Sequence, residues 1–191
     1  PTVRAPVVDF SGHRLGAAGV RALCAFLEQH KVRCAVVRLM RNCIDDAAAA
    51  ELARHLAANY LSTMLELHLS QNQITTRGVL WLLASLARHP AYPIYENARG
   101  CFVPLWLRLD HNAMTSQEAA DLLRVDIPRL GGVSVCSGVG DLVCGATRCI
   151  WMWATGGKHD CIVHLHGFLQ QVTGGPRAAL PRLPPPRPHA E

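Results

Sequence analysis

The sequence predicts an α/β solenoid of about four stacked units, with parallel strands on the concave face and helices on the convex face. Three observations lead to this prediction. One apolar pattern recurs four times, the recurrences are 29, 30 and 40 residues apart, and each interval contains a segment with helical periodicity. A single strand–helix unit cannot bury its apolar side, but a stack of units forms a continuous core. The polar anchors of the four copies are His13, Asn42, Asn72 and Asn112.

The predicted strands have apolar residues at the same distances from each anchor. The residues five positions before the anchors are Val8, Val37, Leu67 and Leu107. The residues three positions before the anchors are Phe10, Leu39, Leu69 and Leu109. The residues two positions after the anchors are Leu15, Ile44, Ile74 and Met114. This is the L-x-L-x-x-N-x-L core of a leucine-rich repeat. An anchor asparagine can bond to backbone groups where the chain leaves the strand, so we expect Asn42, Asn72 and Asn112 to be structural.

Helices are predicted between the strands, where apolar residues recur three or four positions apart. The four segments are residues 16–30, 45–59, 75–89 and 115–125. Asp45 and Asp46 suit the N-terminus of the second helix, where carboxylates interact favourably with the helix dipole. Thr115 and Glu118 have the spacing of a capping box at the start of the fourth.

Over about residues 3–127 the sequence resembles the ribonuclease-inhibitor-like class of leucine-rich repeat proteins, whose units have this length and a full helix on the outer side. The resemblance implies a curved solenoid that binds other macromolecules on its inner face. It implies no catalytic residues. We therefore expect a leucine-rich solenoid domain at residues 1–130.

Side chains alternate along a strand, so the residues between the buried leucines should point to the concave side. Arginine and tryptophan among them are types enriched at binding hot spots. The alternative is that these are ordinary solvated strand positions. The predicted partner-binding residues are Arg38, Arg41, Glu66, His68, Gln71, Trp106, Arg108, Asp110 and His111.

The longest interval contains an insertion at about residues 90–103. Its aromatic residues Tyr92, Tyr95 and Phe102 could contact a partner, because insertions in solenoids often carry contacts. They could equally cover the stack locally, and the sequence leaves both interpretations open.

After about Leu130 the repeat frame is lost, and residues 131–171 are predicted to form a Cys/His-containing cap or small subdomain. Thiolates and imidazoles are ligands of structural zinc. The candidate metal ligands are Cys136, Cys144, Cys149, Cys161 and His164. Their spacing matches no recognised zinc finger, so buried free cysteines are the competing interpretation. The stretch CIVHLHGFL, residues 161–169, reads as a short strand that could close the C-terminal end of the solenoid.

Residues 172–191 are rich in proline and arginine, and such a tail should be extended or disordered. The stretch from Arg182 to Pro188 has the form of a ligand for polyproline-binding domains, although a linker is the simpler interpretation.

Bulk composition limits the function classes. Of 191 residues, 50% are hydrophobic and 17% charged, as in a folded domain, and the net charge of +5 permits a nucleic-acid partner without indicating one. The cysteine pattern is not that of a secreted disulfide scaffold, so we expect a cytoplasmic protein, with the nucleus as the alternative. We expect no membrane span and no cofactor apart from the candidate zinc. The start at Pro1 suggests a fragment.

Together these features predict a non-enzymatic module that binds a protein partner through its concave face. The alternative is an RNA-binding protein that uses a basic concave face and a Cys/His metal module. No small-molecule substrate is indicated.

Overall fold

The chain is described by a computed structural model, which covers the backbone of residues 3–58, 64–87, 89–92, 94–96, 101–136 and 161–166. The secondary-structure elements, in chain order, are β1 (Val3–Asp9), α1 (Ala17–Gln29), β2 (Val32–Arg38), α2 (Asp46–Ala58), β3 (Glu66–His68), α3 (Thr76–Leu86), β4 (Ile94–Glu96), β5 (Cys101–Val103), β6 (Leu105–Arg108), α4 (Ser116–Asp121), a π-helical turn (Leu122–Asp126), α5 (Ile127–Leu130), β7 (Ser134–Cys136) and β8 (Cys161–His166).

Six of the described strands form one parallel sheet in the order β1-β2-β3-β6-β8-β7. The predicted fold class, a short leucine-rich-repeat solenoid with alternating strands and helices, is confirmed. The strand register pairs residues that stand at the same distance from their anchors, since Val37 pairs with Leu67 and Leu67 with Leu107. The strands β4 and β5 form a separate antiparallel hairpin, and this hairpin is the insertion before β6.

The core lies between the sheet and the helix layer. Leucines at the predicted strand positions are fully buried, among them Leu39, Leu67, Leu69, Leu107 and Leu109. They pack against the inward residues of α1, α2 and α3, which recur at helical spacing. Burying each large aliphatic side chain contributes about 1.5–3 kcal/mol. The stack of units is therefore stabilised by one continuous apolar layer.

The anchor asparagines connect neighbouring units through backbone groups. The Oδ1 atom of Asn72 accepts hydrogen bonds from the N–H groups of Asn42 and Ile44, both at 3.1 Å. Its Nδ2 donates to the carbonyls of Leu39 and Leu69 at 2.9 Å. The side chain thus satisfies polar groups of two successive turns, in agreement with the structural role predicted for it.

The helix termini follow the predicted capping chemistry in part. The capping box of Thr115 and Glu118 is present. Asp45 accepts a hydrogen bond from the N–H of Ala48 at 2.9 Å and so caps α2. Asp46 instead bonds across to the next unit, where its Oδ1 accepts from the N–H of Thr75 at 2.8 Å.

The fourth helical segment departs from a regular α-helix. After α4 the chain widens into the π-helical turn, and the N–H of Ile127 donates to the carbonyl of Leu122, five residues earlier. Pro128 follows, and a proline within an α-helix clashes with the carbonyl four residues before it. The wider turn accommodates this residue, a feature that apolar periodicity does not predict.

The predicted C-terminal strand is β8, and it covers the edge of the last repeat by pairing in parallel with β6. The sequence did not predict that β7 pairs with the other side of β8 and is the outermost strand at that end. Val163 and Leu165 pair with Leu105 and Leu107, and all four are buried. Because apolar residues alternate in the same register on β6 and β8, β8 extends the buried apolar layer beside β6. The proposed division at residues 130 and 171 stays a prediction.

Candidate functional site

The sheet register brings the predicted partner-binding residues into rows across the concave face. In one row Glu66 pairs with Trp106. In the next row Arg38 pairs with His68, which in turn pairs with Arg108. Neighbouring strands are about 4.8 Å apart, so side chains in one row are in contact range. The rows therefore form one continuous surface that crosses β2, β3 and β6.

The N-terminal part of this face is accessible to a partner. Arg38 and Asp9 form an ion pair at 3.6 Å, and their side chains are 43% and 46% exposed. Hydrogen bonds from Ser11 hold the pKa of Asp9 below its ordinary value, with a smaller contribution from the Arg38 guanidinium. The Asp9 carboxyl is therefore ionised at neutral pH, and solvent screening keeps its attraction to Arg38 weak.

A row of residues in the left-handed backbone conformation borders the face where the strands end. Arg41, Gln71 and His111 have φ angles of 56°, 58° and 55°, and all three are exposed. This conformation is uncommon for residues with a Cβ atom, and here each such residue stands directly before an anchor asparagine. The Nε of Arg41 donates to Oε1 of Gln71 at 2.7 Å. The turn geometry thus presents polar side chains along one rim of the concave face.

The C-terminal part of the face is largely buried. His68 is 8% exposed, and its Nε2 lies 2.9 Å from Oε2 of Glu66. Burial lowers the pKa of His68, although the Glu66 carboxylate partly offsets this effect. Trp106 is 4% exposed and stacks on His164, with ring centroids 4.0 Å apart and planes 10° from parallel. Neither His68 nor Trp106 therefore offers much surface to a partner.

Arg108 and Asp110 occupy an intermediate position on β6 and in the turn that follows it. The Oγ of Ser70 donates to Oδ2 of Asp110 at 2.9 Å. The Nε of Arg108 and Oδ1 of Asp110 are buried and have no hydrogen-bond partner among the described residues. As whole residues, Arg108 and Asp110 are half-buried.

The accessible part of the face includes residues absent from the predicted site. Asp9 is the ion-pair partner of Arg38, and Met40 lies half-buried two residues further along the chain. Both occupy concave positions in the repeat pattern. Their exposure could not be predicted from this pattern, because every strand position of a given parity looks equivalent in the sequence.

The insertion contributes at least one residue to the core. Tyr92 is 7% exposed, and its hydroxyl donates to the carbonyl of Met64 at 2.8 Å. Its ring also lies 5.1 Å from that of His89. The Tyr92 ring thus covers the stack locally. The side chains of Tyr95 and Phe102 lie outside the described residues.

Two of the candidate metal ligands are neighbours in the structure. Cys136 pairs with His164 across β7 and β8, and both are 1% exposed. Within the described residues, no group of three or more His, Cys, Asp or Glu side chains could hold a metal ion. Cys144, Cys149 and the side chain of Cys161 lie outside the described part of the chain, as does the tail at 172–191. The zinc hypothesis thus stays a prediction.

None of the helices in the described ranges is long and apolar enough to span a membrane. A family model described as "Leucine Rich repeat" matches residues 60–82, a range that contains β3, Asn72 and the first half of α3. Over 111 residues the chain is 30% identical to a mouse (Mus musculus) protein, "NACHT, LRR and PYD domains-containing protein 12".

That alignment covers 58% of this chain and 10% of the mouse protein, so the chain spans about a tenth of the length of this relative. No solved structure matches the chain significantly. The repeated Asn-anchored strands, the helices between them and the family match agree with one another. The chain therefore contains a leucine-rich repeat segment of the ribonuclease-inhibitor-like type.

Proposed function

We propose that the chain is a non-enzymatic protein-binding module whose partner docks on the accessible part of the concave face. We call this part the Arg38 surface, and it consists of Asp9, Arg38, Met40, Arg41 and Gln71. The observation that carries the proposal is the gradient of exposure along the face. The side chains of Arg38 and Asp9 are each more than two-fifths exposed, whereas His68 and Trp106 are buried.

The chemistry of the Arg38 surface suits recognition of a folded protein. Its five residues combine two guanidinium groups, a carboxylate, an amide and a thioether. Arginine and methionine are enriched at protein interfaces, and arginine is common among residues that dominate binding energy. The exposed Arg41 and Gln71 extend the surface to the rim, where polar contacts usually surround the centre of an interface.

The distribution of charge favours a protein over an RNA partner. Acidic residues alternate with the arginines across the face, since Asp9 pairs with Arg38, and Asp110 lies two residues from Arg108. An RNA backbone would therefore meet carboxylates as well as guanidinium groups. Protein interfaces commonly use charges of both signs for specificity.

The cysteines support a reducing compartment, for which we propose the cytoplasm. Cys24, Cys34 and Cys43 are free thiols among the described residues. Burial raises the pKa of the Cys24 thiol to about 12, so this group stays protonated and unreactive at neutral pH.

The proposal is tested with the double variant Arg38→Ala/Arg41→Ala. A partner is first captured with the unmodified chain, and its affinity is then measured with both proteins purified. If Arg38 is a hot spot, the double variant should bind about thirtyfold more weakly, which corresponds to about 2 kcal/mol. The matched control is Arg124→Ala/Arg129→Ala, which removes two exposed arginines of the π-helical turn and α5.

Equal affinity of the double variant and the unmodified chain would refute the role of the Arg38 surface. Equal weakening by the two double variants would show a general charge effect. Affinity for a single-stranded RNA probe that falls steeply with salt concentration would support the RNA alternative instead, because such binding releases counterions from the phosphates.

A further inference from the structure

The strand β7 lies one repeat length from β6 in the chain, although another strand separates the two in the sheet. Trp106 pairs with His164, and His164 pairs with Cys136, so these three residues stand in one row. Cys136 follows Trp106 by 30 residues, the interval that also separates the paired residues Val36 and Glu66. Between β1, β2, β3 and β6, strands one repeat apart are direct neighbours. By its spacing and its row, β7 is therefore the strand of a fifth unit, displaced outward by the width of β8.

The strands β7 and β8 have the same apolar alternation, so both suit the edge of β6. Val163 of β8 pairs with Leu105 on one side and with Val135 of β7 on the other. Val135 also packs against the core. The next inward residue of β8 is Leu165, which is fully buried, whereas the residue two positions after Val135 in the chain is Ser137. The sequence of β8 thus supplies one more large apolar side chain, and its burial favours β8 at this edge.

The chain connections allow the two strands to exchange at the edge of β6. The link between α5 and β7 contains Gly131 and Gly132, whose φ angles are 65° and 67°. Both angles lie in the left-handed region that favours glycine, and hinges consist of a few residues that absorb large changes in φ and ψ. Moving β7 to the edge of β6 is a shift of one strand spacing, about 4.8 Å. Residues 137–160 precede β8, and a connection of this length does not limit such a shift.

The strand β8 also covers a tryptophan of the concave face. Trp106 is 4% exposed, and its ring is stacked on that of His164. With β7 in the place of β8, the shared row would put Cys136 beside Trp106, and a cysteine has no ring to stack on the indole. Tryptophan is enriched at binding hot spots, and Trp106 pairs with Glu66 on β3. Release of β8 would therefore uncover a hot-spot residue next to the middle of the concave face.

We propose that β8 is a displaceable strand that covers Trp106 and holds β7 away from β6. In the exchanged state β8 leaves the sheet, β7 pairs directly with β6, and Trp106 is open to a partner. The edge of β6 is paired in both states, so the exchange exposes no strand edge of the repeat units. The use of Trp106 by a partner rests on the proposed function of the concave face, whereas the strand exchange itself does not.

Amide hydrogen exchange followed by NMR tests the proposal, because a strand that is released locally exchanges faster than the core. The N–H of Trp106 donates to Leu65 before β3 at 2.8 Å, so the N–H of the next residue, Leu107, faces β8. In the strand exchange, the amides of β8 should exchange faster than those of α2 and α3. The Leu107 amide should stay protected, because β7 replaces β8. The indole N–H of Trp106 should exchange together with the amides of β8.

The variant Leu165→Ala removes the apolar advantage of β8. It should speed exchange of the β8 amides about tenfold or more, with the Leu107 amide still protected. The matched control is Leu83→Ala in α3, which truncates an equally buried leucine and should leave the β8 rates unchanged. The double variant Leu165→Ala/Val135→Ser also weakens β7 as the replacement strand. In this variant the Leu107 amide should lose protection together with β8.

The proposal is overturned if the β8 amides of Leu165→Ala exchange no faster than those of α2. It is also overturned if the Leu107 amide loses protection in that single variant, because fraying of β8 without replacement leaves the edge of β6 open. A Trp106 indole N–H that stays protected while β8 exchanges refutes the covering of Trp106. If Leu165→Ala does not fold, Leu165→Val gives the same comparison with a smaller change. No partner protein is needed, so these outcomes are independent of the test of the Arg38 surface.

Discussion

Replacing Asn72 with alanine removes hydrogen bonds to two successive turns of the solenoid and leaves the buried leucines unchanged. The carbonyls of Leu39 and Leu69 each keep one partner, because the Asn42 and Asn112 amides also donate to them. The N–H groups of Asn42 and Ile44, in contrast, lose Asn72 Oδ1 as their acceptor. The perturbation therefore consists mainly of two buried donors without acceptors.

A buried donor without a partner destabilises the folded state by about 1–3 kcal/mol. With two such donors, Asn72→Ala should lower the free energy of unfolding by about 2–6 kcal/mol. The other anchors give an internal comparison. Oδ1 of Asn42 accepts from a single N–H, that of Leu15 at 2.9 Å, and Oδ1 of Asn112 accepts from that of Ile74 at 3.0 Å. Asn42→Ala and Asn112→Ala should each be destabilising by about half as much.

The control is His13→Ala in the first unit. His13 is exposed, and its ring Nδ1 lies 2.8 Å from the carbonyl of Ser11 in its own turn. This substitution should change stability by less than about 0.5 kcal/mol. Equilibrium urea unfolding, followed by far-ultraviolet circular dichroism, gives the free energies of unfolding. The reasoning is refuted if Asn72→Ala is no more destabilising than Asn42→Ala, or if His13→Ala equals either of them.

Two further stability measurements follow from close contacts and from charge. Gly78→Ala should be destabilising by about 1–3 kcal/mol, because its methyl group would lie 2.5 Å from Asp46 Oδ1. In Gly19→Ala the new methyl group meets only the end of a flexible leucine side chain, so this variant should be neutral or stabilising by up to about 1 kcal/mol. Urea unfolding compares the stabilities of the two variants, and equal destabilisation would contradict this reasoning. The hydrogen bond from Arg21 holds the pKa of Glu51 below its ordinary value, so the stability that this carboxylate contributes is lost as the pH falls below about 4. Glu51→Gln should reduce this acid-induced loss when unfolding is measured at neutral and acidic pH, and an unchanged pH dependence would exclude the ion pair as its source.

The repeat pattern was sufficient to predict the solenoid and its register. A residue five positions before an anchor lies beside its counterpart in the next unit, as Val37 does beside Leu67, because each unit has the same path between anchors. The capping box of Thr115 and Glu118 was likewise readable, since its bonds join residues three apart in the chain. Such features depend on local geometry that a few consecutive residues determine.

The pattern did not indicate which concave residues are exposed. Arg38 and His68 have equivalent sequence positions, yet the Arg38 side chain is 43% exposed and His68 is buried. The difference depends on which side chains the fold brings together from distant parts of the chain. The buried position of Tyr92 in the insertion has the same origin, because its hydrogen bond to Met64 spans 28 residues.

The strand order at the C-terminal end is the clearest case in which only the tertiary structure decides. Alternation in residues 161–166 identifies a strand but not its neighbours, and β8 lies between β6 and β7 although β7 comes first in the chain. Local sequence thus determined the units, their apolar side and their polar anchors, because these follow from backbone geometry over a few residues. Exposure and strand order depend on which units lie side by side, and that is a property of the assembled stack.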